Sequence, residues 1–218
     1  MHPDDASSAS SQHLLEAGLP RGKARLAGIL LHGRDRTREE KVVLASSFDL
    51  DFVRWLAPAA DTGSWYPGRF FDPLSVNEPH LLQAIERIDR VVEEAGEGGR
   101  LGPGRIFLVG FSQGACLALE YALRRPGRCG ALVVFTGGIF GAPGEVRHFP
   151  PNLLDGLRVL LTGSDADDWI PEASTRATAR LLSELGAQVR LRIYRGRSHV
   201  VSPEELIEAR DFIGGLLA

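Results

Sequence analysis

The stretch Arg105-Ile-Phe-Leu-Val-Gly-Phe-Ser-Gln-Gly-Ala-Cys-Leu-Ala-Leu-Glu-Tyr-Ala-Leu123 is the part of this 218-residue chain from which its fold can be inferred. It opens with an apolar, partly β-branched run, breaks at Gly110, and continues from Ala115 with alanine, leucine and glutamate at helical spacing. This pattern predicts a buried strand, a sharp turn and then a helix.

The turn, from Gly110 to Gly114, has the G-x-S-x-G pattern of a nucleophile elbow. Its two glycines suit a turn in which the strand and helix backbones come too close for a Cβ atom. Ser112 between them would hold a strained backbone that exposes its hydroxyl at the top of the sheet. The alternative is an ordinary glycine-flanked turn. The position between strand and helix favours the elbow.

Strand and helix patterns alternate along the rest of the chain. Predicted strands cover about 24–33, 51–58, 106–109, 131–135, 157–161 and 189–194, and helical patterns cover about 37–47, 79–95, 115–125, 171–185 and 202 onward. The alternation predicts an α/β fold with a mainly parallel twisted sheet, helices on both faces and no lid domain. In such sheets ligands bind beyond the carboxyl ends of the strands.

The two ends of the chain differ in character. Residues 1–12 are polar, serine-rich and aperiodic, which predicts a flexible N-terminal arm. Residues 13–218 have the length and the hydrophobic patterning of one domain, and residues 13–17 could form a single helical turn at its start.

Composition excludes several function classes. The net charge of -3 gives no reason to expect nucleic acid as a partner. No apolar run approaches the roughly 18 residues of a membrane span, and no signal peptide is evident, so we expect a cytoplasmic protein. Cys116 and Cys129 fall in or beside apolar segments and predict core packing rather than a disulfide. Metal-ligand spacings and nucleotide-binding loops are absent from the sequence, which predicts neither a metal nor a cofactor.

A serine hydroxyl becomes a useful nucleophile only when a base takes its proton and a third group orients that base. For an elbow serine the partners should follow in the order acid, then histidine. His199 comes just after the last predicted strand. Asp167 is the preferred acid because it lies four residues before the predicted helix start at Pro171. Asp165 and Asp168 remain alternatives, since all three aspartates could instead serve turns and helix caps.

Two further features are predicted around Ser112. The backbone N–H groups of Arg34, after the first strand, and Gln113, after the serine, are candidates for an oxyanion hole. The long loop 59–78 is rich in aromatic residues, and we expect Trp65, Tyr66 and Phe70 to form a substrate wall. Simple anchoring of this loop to the core is the alternative interpretation.

Four short motifs resemble those of the small serine carboxylesterase, lysophospholipase and acyl-protein thioesterase family of α/β-hydrolases. They are Leu-His-Gly-Arg at 31–34, Gly-Phe-Ser-Gln-Gly-Ala at 110–115, Asp-x-x-Ile-Pro at 167–171, and Gly-x-x-His at 196–199. Trp-Tyr-Pro at 65–67 and Asn-Glu-Pro at 77–79 are similar to a bacterial phospholipase/carboxylesterase branch.

The resemblance implies a Ser112, Asp167 and His199 triad, an oxyanion hole from the N–H groups of Arg34 and Gln113, and cofactor-free hydrolysis of small ester substrates, often by a homodimer. The sequence departs from it at Asp35, where relatives often have glycine, and at Asp168-Trp169, where the Trp169 indole would narrow the site. We therefore predict a serine esterase. An acyl thioesterase, or a ligand-binding member of the fold without activity, is the alternative.

Overall fold

The computed structural model describes residues 14–218, which contain seven strands and six α-helices. The strands are β1 (Leu14–Gly18), β2 (Leu26–Leu31), β3 (Val53–Pro58), β4 (Ile106–Phe111), β5 (Ala131–Phe135), β6 (Arg158–Ser164) and β7 (Gln188–Tyr194). The helices are α1 (Arg38–Ser47), α2 (Leu74–Asn77), α3 (His80–Ala95), α4 (Gln113–Arg124), α5 (Glu172–Glu184) and α6 (Pro203–Gly214). The predicted arm at residues 1–12 lies outside the described residues.

All seven strands form one sheet in the order β1-β3-β2-β4-β5-β6-β7. Strands β2 to β7 run parallel, and only β1 pairs antiparallel, with β3. In the described part of the chain no separate domain is inserted between these strands. The predicted α/β fold with a mainly parallel sheet is confirmed.

Helices cover both faces of the sheet because successive strand residues point to opposite sides. Ile29 and Leu31 pack with α3, α4 and α5 on one face, whereas Leu30 packs with α1 and α6 on the other. Strands buried on both faces are near-continuous apolar runs, as in β4. Within residues 14–218, no helix has the length and apolarity required to cross a membrane.

Two local predictions were wrong. Residues 14–17 belong to the edge strand β1 rather than to a helical turn, because their hydrogen-bond partners come from β3, some 40 residues away along the chain. The spacing in α1 predicts that Val42, Val43 and Ala45 face inward, but the side chain of Val43 is exposed and that of Lys41 is buried. Lys41 extends its ammonium group to within 5.1 Å of the Phe111 ring centre, a cation–π contact that the helical pattern alone does not reveal.

A buried guanidinium joins the edge strand to the sheet and to α3. Arg54 on β3 is 1% exposed, and its Nη2 lies 2.9 Å from carboxylate oxygens of Glu16 on β1 and Glu94 on α3. Its Nη1 lies 3.5 Å from Glu97, whose side chain is also buried and also pairs with Arg100. A charge removed from water needs such partners, so the cluster fixes β1 against β3.

Replacing Arg54 by methionine should destabilise the fold by about 3 kcal/mol, because Glu97 would keep only one of its two cationic partners in a buried position. Urea denaturation followed by circular dichroism measures the change. Arg21→Ala is the matched control, because Arg21 pairs with the same Glu94 but is largely exposed. We expect the control to cost less than about 1 kcal/mol. Equal losses in the two variants would contradict the structural role of Arg54.

Candidate active site

Ser112 lies at a strained turn between β4 and α4. Its φ and ψ are 54° and −116°, outside the regions that residues with a side chain normally adopt. A Cβ atom at Gly110 would lie 2.6 Å from Ala115 Cα, and one at Gly114 would lie 2.6 Å from the His32 carbonyl oxygen. Both distances are shorter than packing allows, so these two positions require glycine for the turn to close.

The structure brings Ser112, His199 and Asp167 together at the carboxyl end of the sheet. The Ser112 Oγ lies 2.8 Å from His199 Nε2, and His199 Nδ1 lies 2.9 Å from both carboxylate oxygens of Asp167. Ser112 follows β4, Asp167 follows β6 and His199 follows β7. Hydrogen bonds at both ring nitrogens are satisfied if Nδ1 carries the proton and Nε2 accepts from the hydroxyl.

Asp167 differs from its two neighbouring aspartates in burial and in partners. Its side chain is buried, and Oδ1 accepts hydrogen bonds from the N–H groups of Trp169 and Ile170, each at 2.9 Å. Burial acts to raise the pKa of Asp167, but these N–H donors and the His199 ring outweigh it, so the pKa is lowered. Asp165 instead accepts from the Gly196 N–H at 2.7 Å, and Asp168 is exposed at the cleft.

The predicted oxyanion donors lie on either side of this site. Arg34 follows β2, Gln113 begins α4, and both line the cleft that contains Ser112. Among residues 14–218, the loop and turn hydrogen bonds between backbone groups include none donated by the N–H of Arg34 or of Gln113. Gln113 is the first residue of its helix, so its N–H is one of those that a helix leaves without an internal acceptor.

The side chains of Arg34 and Gln113 attach the aromatic loop to the site. The Arg34 guanidinium donates to the carbonyl oxygens of Tyr66 and Gly68, at 3.1 and 2.6 Å. Gln113 accepts a hydrogen bond from the Trp65 N–H at 2.9 Å and donates to the Tyr66 carbonyl at 2.8 Å. These contacts could not be predicted from the sequence, because the carbonyls that the two side chains bind lie about 30 or 50 residues away along the chain.

His32 stabilises the same region without facing the serine. Its Nδ1 lies 2.8 Å from the Gly33 carbonyl oxygen, and its Nε2 accepts a hydrogen bond from the Ala60 N–H at 3.0 Å. Burial lowers the pKa of His32, because a charged ring would lose hydration. The neutral ring therefore fixes the start of the aromatic loop next to the end of β2.

The cleft around Ser112 has a volume of about 780 Å³. Tyr66, Phe70 and Trp169 line it, and Trp169 is 62% exposed with its ring 6.0 Å from that of His199. Trp65 does not line the cleft. Its ring packs 4.7 Å from that of His32, and its Nε1 donates to the His32 carbonyl at 2.9 Å, so it anchors the loop to the core.

Phe111 and Cys116 also line the cleft, a role that sequence reasoning did not assign to either residue. Spacing could have identified Cys116, because a residue one helical turn after Ser112 lies on the same face of α4. Burial raises the pKa of Cys116 to about 11, so its thiol stays protonated.

Comparisons with known proteins identify the family of this chain. Residues 51–217 match the family model described as phospholipase/carboxylesterase. The chain belongs to this family. A crystal structure of a phospholipase/carboxylesterase from Dyadobacter fermentans is 30% identical, covers 92% of this chain and 95% of its own, and superposes with a TM-score of 0.84.

Similarity to curated proteins extends to eukaryotes. A probable carboxylesterase of Oryza sativa subsp. japonica is 27% identical over 208 residues, covering 84% of this chain and 85% of the relative. Acyl-protein thioesterase 1 of Eremothecium gossypii is 31% identical over 165 residues, covering 72% and 66%. This phospholipase/carboxylesterase family member is an ester hydrolase with the α/β-hydrolase fold.

Asp35 occupies a left-handed backbone position that glycine would adopt without strain. Its φ is 55°, and its N–H donates to the Gly63 carbonyl at 3.0 Å. Asp35→Gly should therefore leave the free energy of unfolding nearly unchanged and keep the rate of ester hydrolysis within about twofold of that of the starting protein. Asp35→Val should lower the free energy of unfolding by about 1 to 3 kcal/mol and reduce turnover, because a β-branched residue resists this φ next to Arg34.

Thermal unfolding and p-nitrophenyl acetate hydrolysis measure both Asp35 variants. A valine variant as stable and active as the glycine variant would show that the loop after β2 does not depend on this backbone conformation.

Proposed function

We propose that this family member hydrolyses carboxylic esters through an acyl-enzyme on Ser112, with His199 as the base and Asp167 as the orienting acid. The observation that carries the proposal is the 2.8 Å separation of Ser112 Oγ and His199 Nε2. A hydroxyl and a ring nitrogen at this distance can exchange a proton without rearrangement. The carboxylate at the far nitrogen stabilises the cation that results.

Acylation begins when Ser112 Oγ attacks the ester carbonyl carbon and its proton passes to His199 Nε2. The oxyanion that forms would accept hydrogen bonds from the backbone N–H groups of Arg34 and Gln113 at the positive end of α4. Collapse of the tetrahedral intermediate breaks the bond to the alcohol oxygen, which takes the proton from His199. Water then attacks the acyl carbon while His199 takes its proton. Collapse of this second tetrahedral intermediate breaks the bond to Ser112 Oγ, which takes the proton back from His199 as the carboxylic acid leaves.

The cleft supports an ester with apolar parts. Tyr66, Phe70 and Phe111 contribute aromatic surface beside Ser112, and such surface binds hydrocarbon better than charged groups. The exposed Trp169 would cover one side of the bound ester. Because these walls are mainly short loops, we expect short acyl esters to react fastest, and a panel of esters of increasing acyl length tests this.

An acyl thioesterase is the second candidate. One observation favours it, namely that a relative 31% identical to this chain is named an acyl-protein thioesterase. The same nucleophile and base would cleave a thioester, with a thiol as the leaving group. Release of free thiol from matched acyl thioesters, compared with release of alcohol from the corresponding esters, separates the two activities by their kcat/KM ratio.

Replacing Ser112 by alanine should abolish acyl-enzyme formation and lower p-nitrophenyl acetate turnover by at least about 10³-fold, because the nucleophile is removed. The starting protein should be labelled by a fluorophosphonate and the variant should not. Retained hydrolysis in the variant would refute the proposal. A starting protein that binds esters yet resists the label would instead be a ligand-binding member of the fold.

Replacing Asp167 by asparagine should lower kcat by about 10⁴-fold, because an amide can no longer hold the His199 tautomer or stabilise its cation. Asp165→Asn is the matched control on the same loop, and its kcat should stay within about threefold, since Asp165 binds the Gly196 N–H rather than the His199 ring. Rates for both variants are measured at saturating p-nitrophenyl acetate. A larger loss in the Asp165 variant would reassign the acid.

A further inference from the structure

Arg197 donates hydrogen bonds to the backbone on both sides of His199. It lies in the loop after β7, and its side chain is buried. A single guanidinium nitrogen, Nη1, donates to the carbonyl oxygens of Ser198 at 2.6 Å and Val200 at 2.7 Å. The peptide groups that flank His199 are therefore held by one rigid, planar cation.

The second terminal nitrogen of Arg197 connects this loop to the end of β5, the strand next to β4. Arg197 Nη2 donates to the Thr136 hydroxyl at 2.6 Å. Thr136 is buried at the end of β5 with φ at 57°, which is rare for a β-branched residue. The residue before it, Phe135, accepts a hydrogen bond from the Ser112 N–H at 3.0 Å. Arg197 therefore links the loop of His199 to the strand that also fixes Ser112.

The same guanidinium is the cation between two buried carboxylates. Arg197 Nε lies 3.1 Å from Glu205 Oε2, and Nη1 lies 3.9 Å from Asp167 Oδ2. Glu205 is fixed in turn by the Thr162 hydroxyl at 2.5 Å and the Ser202 N–H at 2.8 Å. With a neutral imidazole, the two carboxylates and the guanidinium sum to a charge of −1. Protonation of His199 brings the cluster to zero.

We propose that Arg197 is a positioning residue that fixes the loop of the proposed base His199 and balances the two carboxylates behind it. The inference rests on the proposed function of Ser112 and His199. Without the guanidinium, the carboxylates would hold a proton on the resting imidazole more strongly, so the base would be unavailable over a wider acidic range. The loop would also lose three hydrogen bonds, and Nε2 would no longer be held at Ser112 Oγ.

A purely structural ion pair is a weaker explanation of this arrangement. Glu205 already caps α6 and binds Thr162 without Arg197, so holding α6 in place does not require the guanidinium. The contacts that do require it are those to the carbonyls beside His199 and to the strained Thr136. Strain that is held by specific bonds next to reacting groups is a recurrent feature of functional sites.

Several other charged groups surround His199 and Arg197, and the variants below leave them unchanged. They are Asp165 and Asp168 after β6, Lys41 on α1 through the Phe111 ring, and Arg34, Asp35 and Arg36 after β2. Burial lowers the pKa of Lys41 to about 8, so Lys41 titrates on the alkaline side of the range. The acid limb of the pH profile is therefore the informative one.

The test compares Arg197→Gln, Arg197→Lys and the control Arg195→Gln, which removes an exposed arginine from the same loop. For each protein, kcat and KM for p-nitrophenyl acetate are measured from pH 5 to 9. Arg197→Gln should lower kcat by about 10²-fold with KM within about threefold, because it displaces the base rather than the substrate site. In the pH profile of kcat/KM for this variant, the midpoint of the acid limb should move to higher pH by about one unit.

Arg197→Lys should also lose turnover, because an ammonium cannot reproduce the planar donor fork, but it keeps the charge. Its acid limb should therefore stay where it is in the starting protein, and the Arg195 control should change neither quantity. This split between geometry and charge is not expected from a residue that only stabilises the fold. Thermal melting of each variant verifies that folded protein is compared.

A folded Arg197→Gln variant with unchanged kcat and an unchanged acid limb would overturn the proposal. If that variant does not fold, a folded Arg197→Lys variant with the starting kcat would overturn it equally. Ser112→Ala in the same assay keeps the two proposals apart. An inactive Ser112→Ala variant beside unaffected Arg197 variants removes only the positioning role, whereas an active Ser112→Ala variant removes the proposed function itself.

Discussion

The close packing of α4 against the ends of β2 and β4 is the constraint on which the candidate site depends. Gly110 and Gly114 have no room for a side chain, and the chain between them can pass only with Ser112 in a strained conformation. That conformation points the hydroxyl away from the sheet and leaves the N-terminus of α4 directed at the cleft. The same approach brings the loop of Arg34 close to the start of α4, so the proposed nucleophile and both oxyanion candidates depend on one packing contact.

The remaining partners of Ser112 arrive through sheet topology. Strands β4, β5, β6 and β7 are parallel neighbours in that order, so their carboxyl ends open onto one edge. Because β5 lies between β4 and β6, the loops after β6 and β7 must pass the end of β5 to reach Ser112. The hydrogen bond from Arg197 to Thr136 attaches the loop after β7 to the end of β5. The buried charges below the candidate triad thus connect catalytic geometry to the order of the strands.

The aromatic loop before α2, residues 59–73, is held in place by two residues that also line the cleft. Arg34 and Gln113 both line the cleft, and their side chains bind carbonyls of this loop. His32 and Trp65 secure its first half from below. The wall of the cleft is therefore bonded directly to the residues proposed to stabilise the oxyanion. A displacement of the aromatic loop would displace these residues as well. Interiors packed at this density transmit such displacements rather than absorbing them.

The amino-acid sequence by itself determined the strand and helix alternation, the elbow at Ser112 and the place of His199 after the last strand, because these features depend on periodicity, glycine placement and chain order. It ranked Asp167 above Asp165 by spacing alone. Only the tertiary structure decided which carboxylate meets the His199 ring, that residues 14–18 form an edge strand, and that Trp65 anchors a loop instead of lining the cleft. It alone revealed Arg54 and Arg197 as buried cations. The physical reason is that each of these outcomes depends on a partner distant in sequence, and local patterns contain no information about partners that meet only when the sheet has formed.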